Sequence, residues 1–171
     1  MFYEAQMTFR RRTEPVSIVL PEVELKRLNR FVIDRSDAVG FVELATAYDQ
    51  HVWLNLKKIR KILILNEGTT PAFDRSKIKC SRQYAETVDV DDPSIPWEVD
   101  LWVEGEEPLH LYELAGDEWV EIATSIDCDE RFFRVSDEDD DSLVFSVKDT
   151  ELVIGTEIGR YSEEQRKALS E

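Results

Sequence analysis

Residues 137 to 141 read "DEDDD", five successive carboxylates inside the stretch "RFFRVSDEDDDSLVFSVKD". Oxygen ligands alone suit hard cations, so calcium is the first chemistry to test here. An EF-hand loop begun at Asp137 needs glycine at its sixth position and a bidentate glutamate at its twelfth. Those positions hold Ser142 and Lys148, and the flanks have the character of strands rather than helices. The run therefore reads as a solvated turn between two strands, and no metal is expected in it.

Other chemistries find less support. His51, His110, Cys80 and Cys128 are the whole stock of soft or borderline ligands, and none falls in a C-x-x-C or H-x-x-x-H spacing. There is no Gly-x-Ser-x-Gly elbow, and six glycines spread thinly leave no loop to cradle phosphate. In a chain with 37 Asp and Glu, a pair of carboxylates carries no information without geometry. No catalytic residue, cofactor or metal ligand is assigned. The expectation is a protein that is not an enzyme and takes no small-molecule substrate.

Charge is more informative. The net charge is -16 over 171 residues, but residues 1–80 sum to +4 and residues 81–171 to -20. A halophilic habit would not leave the first half basic, so the polarity points to partners. The acidic half should repel nucleic acid and acidic membranes and attract basic proteins. The opening "MFYEAQMTFRRRTEP" has no apolar core for a secretory signal, and no apolar run is long enough to span a bilayer. Two isolated cysteines make no disulfide framework, so a reduced, cytoplasmic setting is expected.

The elements that must position these residues follow from periodicity. "VSIVL" (16–20) reads as a strand, with Pro21 suited to the first turn of a helix in which Leu25, Leu28 and Val32 share a face. "FVELATAYDQHVWLNLKK" reads as a hairpin, and "IRKILIL" continues as strand. Later, "VDLWVEG" and "PLHLYEL" read as strands. "GDEWVEIATSID" is a one-sided helix carrying Trp119, Ile122, Ala123 and Ile126, with Asp117 as its N-cap. "RFFRVSDEDDDSLVFSVKD" is a second hairpin, followed by "TELVIG" as strand.

The fold class expected is α+β, mainly β, with two similar strand–helix–hairpin modules built on bent antiparallel sheets. The organisation is a net-basic module over 1–66, a structured connection over 67–96, an acidic module over 97–158 and a short helical tail over 159–171. Sliding residues 41–66 onto 132–157 without gaps matches Phe41 with Phe132, Asp49 with Asp140 and Lys57 with Lys148. Internal duplication and convergent strand periodicity both account for that register. The arrangement loosely resembles the small, barrel-like bent-sheet modules of Sm-like proteins, and no function is carried over from the likeness.

On the first hairpin, Val52, Leu54 and Leu56 alternate inward, so Trp53, Asn55 and Lys57 are expected on the opposite, outer face. The same parity makes Phe145 core and Val144 outer. An exposed Trp beside Lys can anchor a protein partner or stack a base, and Lys on an edge strand also guards against aggregation. The candidate partner-binding residues are Trp53, Lys57, Asp137, Asp139, Asp140 and Asp141. The expected function is a protein–protein interaction module, an accessory or regulatory subunit whose acidic half docks a basic partner. The alternative is an acidic mimic that occupies the site of a DNA- or RNA-binding protein.

Overall fold

The computed structural model describes residues 2–33, 40–65, 96–136 and 142–158. Strand β1 (Phe2–Phe9) lies at the centre of a three-stranded antiparallel sheet, between β2 (Val16–Pro21) and β5 (Ile59–Ile64). Its inward residues Ala5, Met7 and Phe9 are fully buried. Small Ala and flexible Met make that alternation faint in the sequence, which is why β1 has no counterpart among the expected strands. Pro21 belongs to β2, where it pairs with Phe2, and helix α1 (Glu22–Ile33) begins one residue later than expected. Leu25 and Leu28 point inward as their spacing requires. The next inward position is Phe31, three residues on from Leu28, so Val32 turns outward and is 48% exposed.

Strands β3 (Phe41–Ala45) and β4 (His51–Asn55) form the expected hairpin. At its tip the Thr46 hydroxyl accepts from the backbone N–H groups of Tyr48 and Gln50, and Asp49 takes a left-handed conformation with φ 61°. Asn55 then ends the strand. Its side-chain oxygen accepts from the Lys57 N–H at 3.1 Å and caps a 3₁₀ turn, Leu56–Lys58, that swings the chain out of one sheet into another. Leu56 and Lys57 therefore do not continue the alternation of β4, and Lys57 is an exposed turn residue.

The second half runs β6 (Trp97–Val103), β7 (Leu109–Leu114), α2 (Gly116–Asp127), β8 (Phe132–Ser136), β9 (Ser142–Ser146), a 3₁₀ turn (Val147–Asp149) and β10 (Thr150–Glu157). Here β6 lies between β7 and β10, as β1 lies between β2 and β5. Helix α2 buries Trp119, Ile122 and Ile126 as expected, but its N-cap is Ala115 rather than Asp117. The Glu118 carboxylate reaches back to accept the Ala115 N–H at 3.2 Å, so the first turn is closed by the side chain at the third helical position. From β3 to β5 and from β8 to β10, the element starts fall 91 residues apart: Phe41 and Phe132, His51 and Ser142, Leu56 and Val147, Ile59 and Thr150. One hydrogen bond recurs at the same offset. The Leu56 N–H donates to the Gly40 carbonyl at 2.9 Å, and the Val147 N–H donates to the Arg131 carbonyl at 3.2 Å.

Strand β4 pairs with β10, which joins the halves into one five-stranded antiparallel sheet ordered β3-β4-β10-β6-β7. Among the described residues, none of the sheets closes into a barrel. Two hydrophobic cores lie on opposite sides of the β4–β10 seam, and both strands serve both. Val52, Leu54, Leu152 and Ile154 enter the first core, with Met7, Phe9, Leu20 and Leu28. Trp53 and Val153 enter the second, with Leu101, Trp119, Ile122 and Phe133. Trp53 is thus 6% exposed and buried, which corrects its expected place on an outer face. Its side is indeed opposite to Leu54, but that side is covered too. Val144 is outer, 55% exposed, and Phe145 packs partly buried against the second core.

Candidate functional site

The basic clusters of the first half meet carboxylates of the second half beside the seam. Arg12, just past β1, reaches Glu151 of β10, and its guanidinium also donates to the carbonyls of Val103 at 2.7 Å and Glu106 at 2.8 Å. Glu151 is 1% exposed, so this pair is taken out of water and its geometry decides whether burial is tolerated. The three donated hydrogen bonds answer that requirement. Lys58, in the first 3₁₀ turn, bonds to Glu104 and lies 3.7 Å from Asp149 of the second turn. Arg11 reaches Glu104 at 3.0 Å. The hydrogen bond from Lys58 holds the Glu104 carboxyl below its ordinary pKa, and the charges of Lys58 and Arg11 add to the effect. The polarity that marks the sequence is partly consumed inside the fold.

The sequence candidates are therefore not brought together on one face. Trp53 is inward, with its indole N–H buried and without a hydrogen-bond partner among the described residues. Lys57 is exposed on the 3₁₀ turn. Asp137, Asp139, Asp140 and Asp141 lie outside the described residues. The uninterrupted apolar run "VWL" is compatible with a strand covered on both faces, but "LVF" of β9 is a run of the same kind and leaves Val144 exposed, so no local signal placed Trp53.

Two polar groupings were not legible in the sequence. On β6 and β7, Asp100 is directly opposite His110, and its carboxylate bonds the imidazole Nδ1. Glu98 sits 3.9 Å from Nε2, and Tyr112, 57% exposed, meets the imidazole edge-on at 4.1 Å between ring centres. The array orients an imidazole between two carboxylates on an open sheet face. Among the described residues, no group of three or more His, Cys, Asp and Glu is arranged to hold a metal ion. Around the end of the seam, Trp97 stacks on Trp119 at 4.6 Å, and His51 stands edge-on to Trp97 at 5.5 Å. Gly155 of β10 makes that corner possible, because a Cβ there would lie 2.3 Å from the Trp119 ring.

The surface of α2 completes the picture. Within Gly116–Asp127 the helix carries Asp117, Glu118, Glu121 and Asp127 and no Lys or Arg, and Val120 stands 59% exposed among them. Asp129 and Glu130 follow at its C-terminal end, both exposed. Negative charge at a helix C-terminus opposes the helix dipole, so this face adds potential at a small cost in stability. Helix α1 differs: Glu22 pairs with Lys26 at 2.6 Å and Glu24 with Arg27 at 3.8 Å.

No family model, no curated protein and no solved structure matches the chain. No helix among the described residues is long and apolar enough to cross a membrane.

Proposed function

We propose that this protein is a non-enzymatic protein–protein interaction module, an accessory or regulatory subunit whose acidic second half docks a basic protein. The observation that carries the reading is the contrast in how charge is spent. Arg11, Arg12 and Lys58 are occupied by Glu104, Asp149 and Glu151, whereas α2 presents carboxylates with no cation of its own. A face of this kind steers a basic partner and sets its association rate more than its final affinity. Asp137 to Asp141 extend the acidic charge of the same half. We further propose that the two halves arose by internal duplication, supported by the shared element order and the common offset of 91 residues from the first hairpin onward.

The test begins with native pull-down of a basic partner and measures association at several salt concentrations. A variant with Asp117→Asn, Glu121→Gln and Asp139, Asp140 and Asp141→Asn should associate more slowly and with a shallower salt dependence, its dissociation little altered. Equal rates for the two proteins overturn the docking reading. The second reading is nucleic-acid mimicry, favoured by the same density of carboxylates. It predicts that duplex DNA or RNA competes for the partner, which simple docking does not require.

A further inference from the structure

Among the described residues, the β4–β10 seam has an equivalent in which the two strands are not paired with each other. Strand β4 is flanked by β3 and β10, and β10 by β4 and β6. At the offset of 91 residues, β4 corresponds to β9 and β10 to β5. Among the described residues β9 pairs only with β8 and β5 only with β1, so each has one open edge.

We propose that the open edge of β9 pairs, antiparallel, with the open edge of β5 in a second copy of this chain, repeating between chains the β4–β10 pairing that joins the two halves within one. Within the chain the register is Leu152 with Leu54, Val153 with Trp53, Ile154 with Val52 and Gly155 with His51. Carried across by the offset, it sets Lys61 against Phe145, Ile62 against Val144, Leu63 against Leu143 and Ile64 against Ser142.

Three observations support this occupant over others. The first is parity. At the seam each strand sends one face into its own half's core and the other into the neighbour's, which is where Trp53 and Ile154 are buried to 6% and 7% exposure. Their counterparts are Val144 and Leu63, left 55% and 40% exposed, while the counterpart of Leu152 is the exposed Lys61, whose alkyl stem would lie along Phe145 with its ammonium left in water at the end of the ladder. Meanwhile Ile62 and Ile64 pack against the first core, and Leu143 and Phe145 against the second, so the inward faces already match the seam's arrangement. The second is a polar contact. Across the seam the Asn55 side chain donates to the Thr150 carbonyl at 2.9 Å. The residue equivalent to Asn55 is Ser146, whose Oγ is buried and has no hydrogen-bond partner among the described residues, and the residue equivalent to Thr150 is Ile59. The third is general: an open strand edge carrying apolar side chains is a template for another strand.

The pairing is head-to-tail, since the two edges differ. It makes a closed ring if the rotation between copies closes and a filament if it does not. Self-assembly is measured on the chain alone, with no basic partner present, so this inference and the proposed function fail independently.

The test is sedimentation of the full chain over a range of concentration, with variants Leu63→Lys and Val144→Lys. Wild type should assemble beyond the monomer, and each lysine should weaken assembly roughly tenfold or more by placing an unpaired charge in the contact. At concentrations where wild type is half assembled, each variant alone should be monomeric. An equimolar mixture should give a heterodimer and nothing larger, because one partner supplies an intact β9 and the other an intact β5. Both positions are exposed, so the fold should survive, and hydrogen exchange on the wild type supplies a check free of mutation. Amides of Lys61–Ile64 and Ser142–Phe145 should gain protection with concentration. A wild type that stays monomeric overturns the proposal, as does a single variant that assembles at the same concentrations as wild type. A monomer whose β5 edge is already protected also overturns it, placing a segment of the same chain there.

Discussion

Strands β4 and β9 each close a hairpin and lead into a 3₁₀ turn, yet they end in different surroundings. The middle residue of β4, Trp53, is 6% exposed, and the middle residue of β9, Val144, is 55% exposed. The local sequences do not explain this, since both strands are short apolar runs bounded by polar residues. The difference is the neighbour. Strand β10 lies beside β4 and carries the second core up to Trp53, whereas the outer edge of β9 has no strand beside it among the described residues. Whether a β-strand has one buried face or two is a property of the sheet it joins.

The largest expected effects test that contrast directly. Trp53→Ala should cost about 3–5 kcal/mol, whereas Val144→Ala should stay within about 0.5 kcal/mol, both by urea denaturation. Equal costs would break the comparison. Trp53→Phe should cost much less than the alanine change, because it keeps most of the packing and removes a buried N–H with no partner among the described residues.

A comparable effect is expected beside the seam. Arg12→Met strands Glu151 in the interior and should cost about 3–5 kcal/mol. Adding Glu151→Met should recover most of that loss, measured by the same denaturation. A double variant no better than the single one would mean that the carbonyl bonds of Arg12, not the ion pair, hold this region together.

Gly155→Ala is expected to cost about 1–3 kcal/mol, since Trp119 is held by its stack on Trp97 and must shift to admit a methyl group. Loss of the Trp fluorescence signature together with a lower melting temperature checks it. The equivalent position in β5 is Ile64, partly buried against the first core, so the glycine is a demand of the α2 corner and not of the strand type.

The smallest effect is a pH dependence. The folded-state pKa of Glu104 lies below its ordinary value because Lys58 bonds to it and Arg11 is close. Its contribution is therefore fully present above the unfolded carboxylate pKa of about 4.3, and is lost as pH falls through the lower folded value. The stability difference between wild type and Glu104→Gln should be constant near neutrality and shrink in that acidic window. A difference that does not change with pH there would remove Glu104 from the acid response.

Much of the architecture was legible residue by residue. Both hairpins, both helices and the strands of residues 97–103, 109–114 and 150–157 follow from apolar periodicity and turn residues. The register of 41–66 on 132–157 fits the element starts at their common offset. The candidate surface was less legible. Trp53 was set outside because alternation assumes one covered face. The Asp100–His110 pair and the Trp97–Trp119 stack join residues from different strands and a helix, and no spacing in a single chain encodes such contacts.

By itself the sequence determined most of the elements, β1 excepted, because backbone hydrogen bonding and the periods of helix and strand act over a few residues. It also determined the charge polarity, which is a matter of composition. Only the tertiary structure decided which strand β10 would lie beside. That choice covered Trp53, paired Arg12 with Glu151 and Lys58 with Glu104, and left α2 acidic and the β5 and β9 edges open among the described residues. Burial and ion pairing depend on distances between residues far apart in the chain, and those distances exist only once the two halves meet.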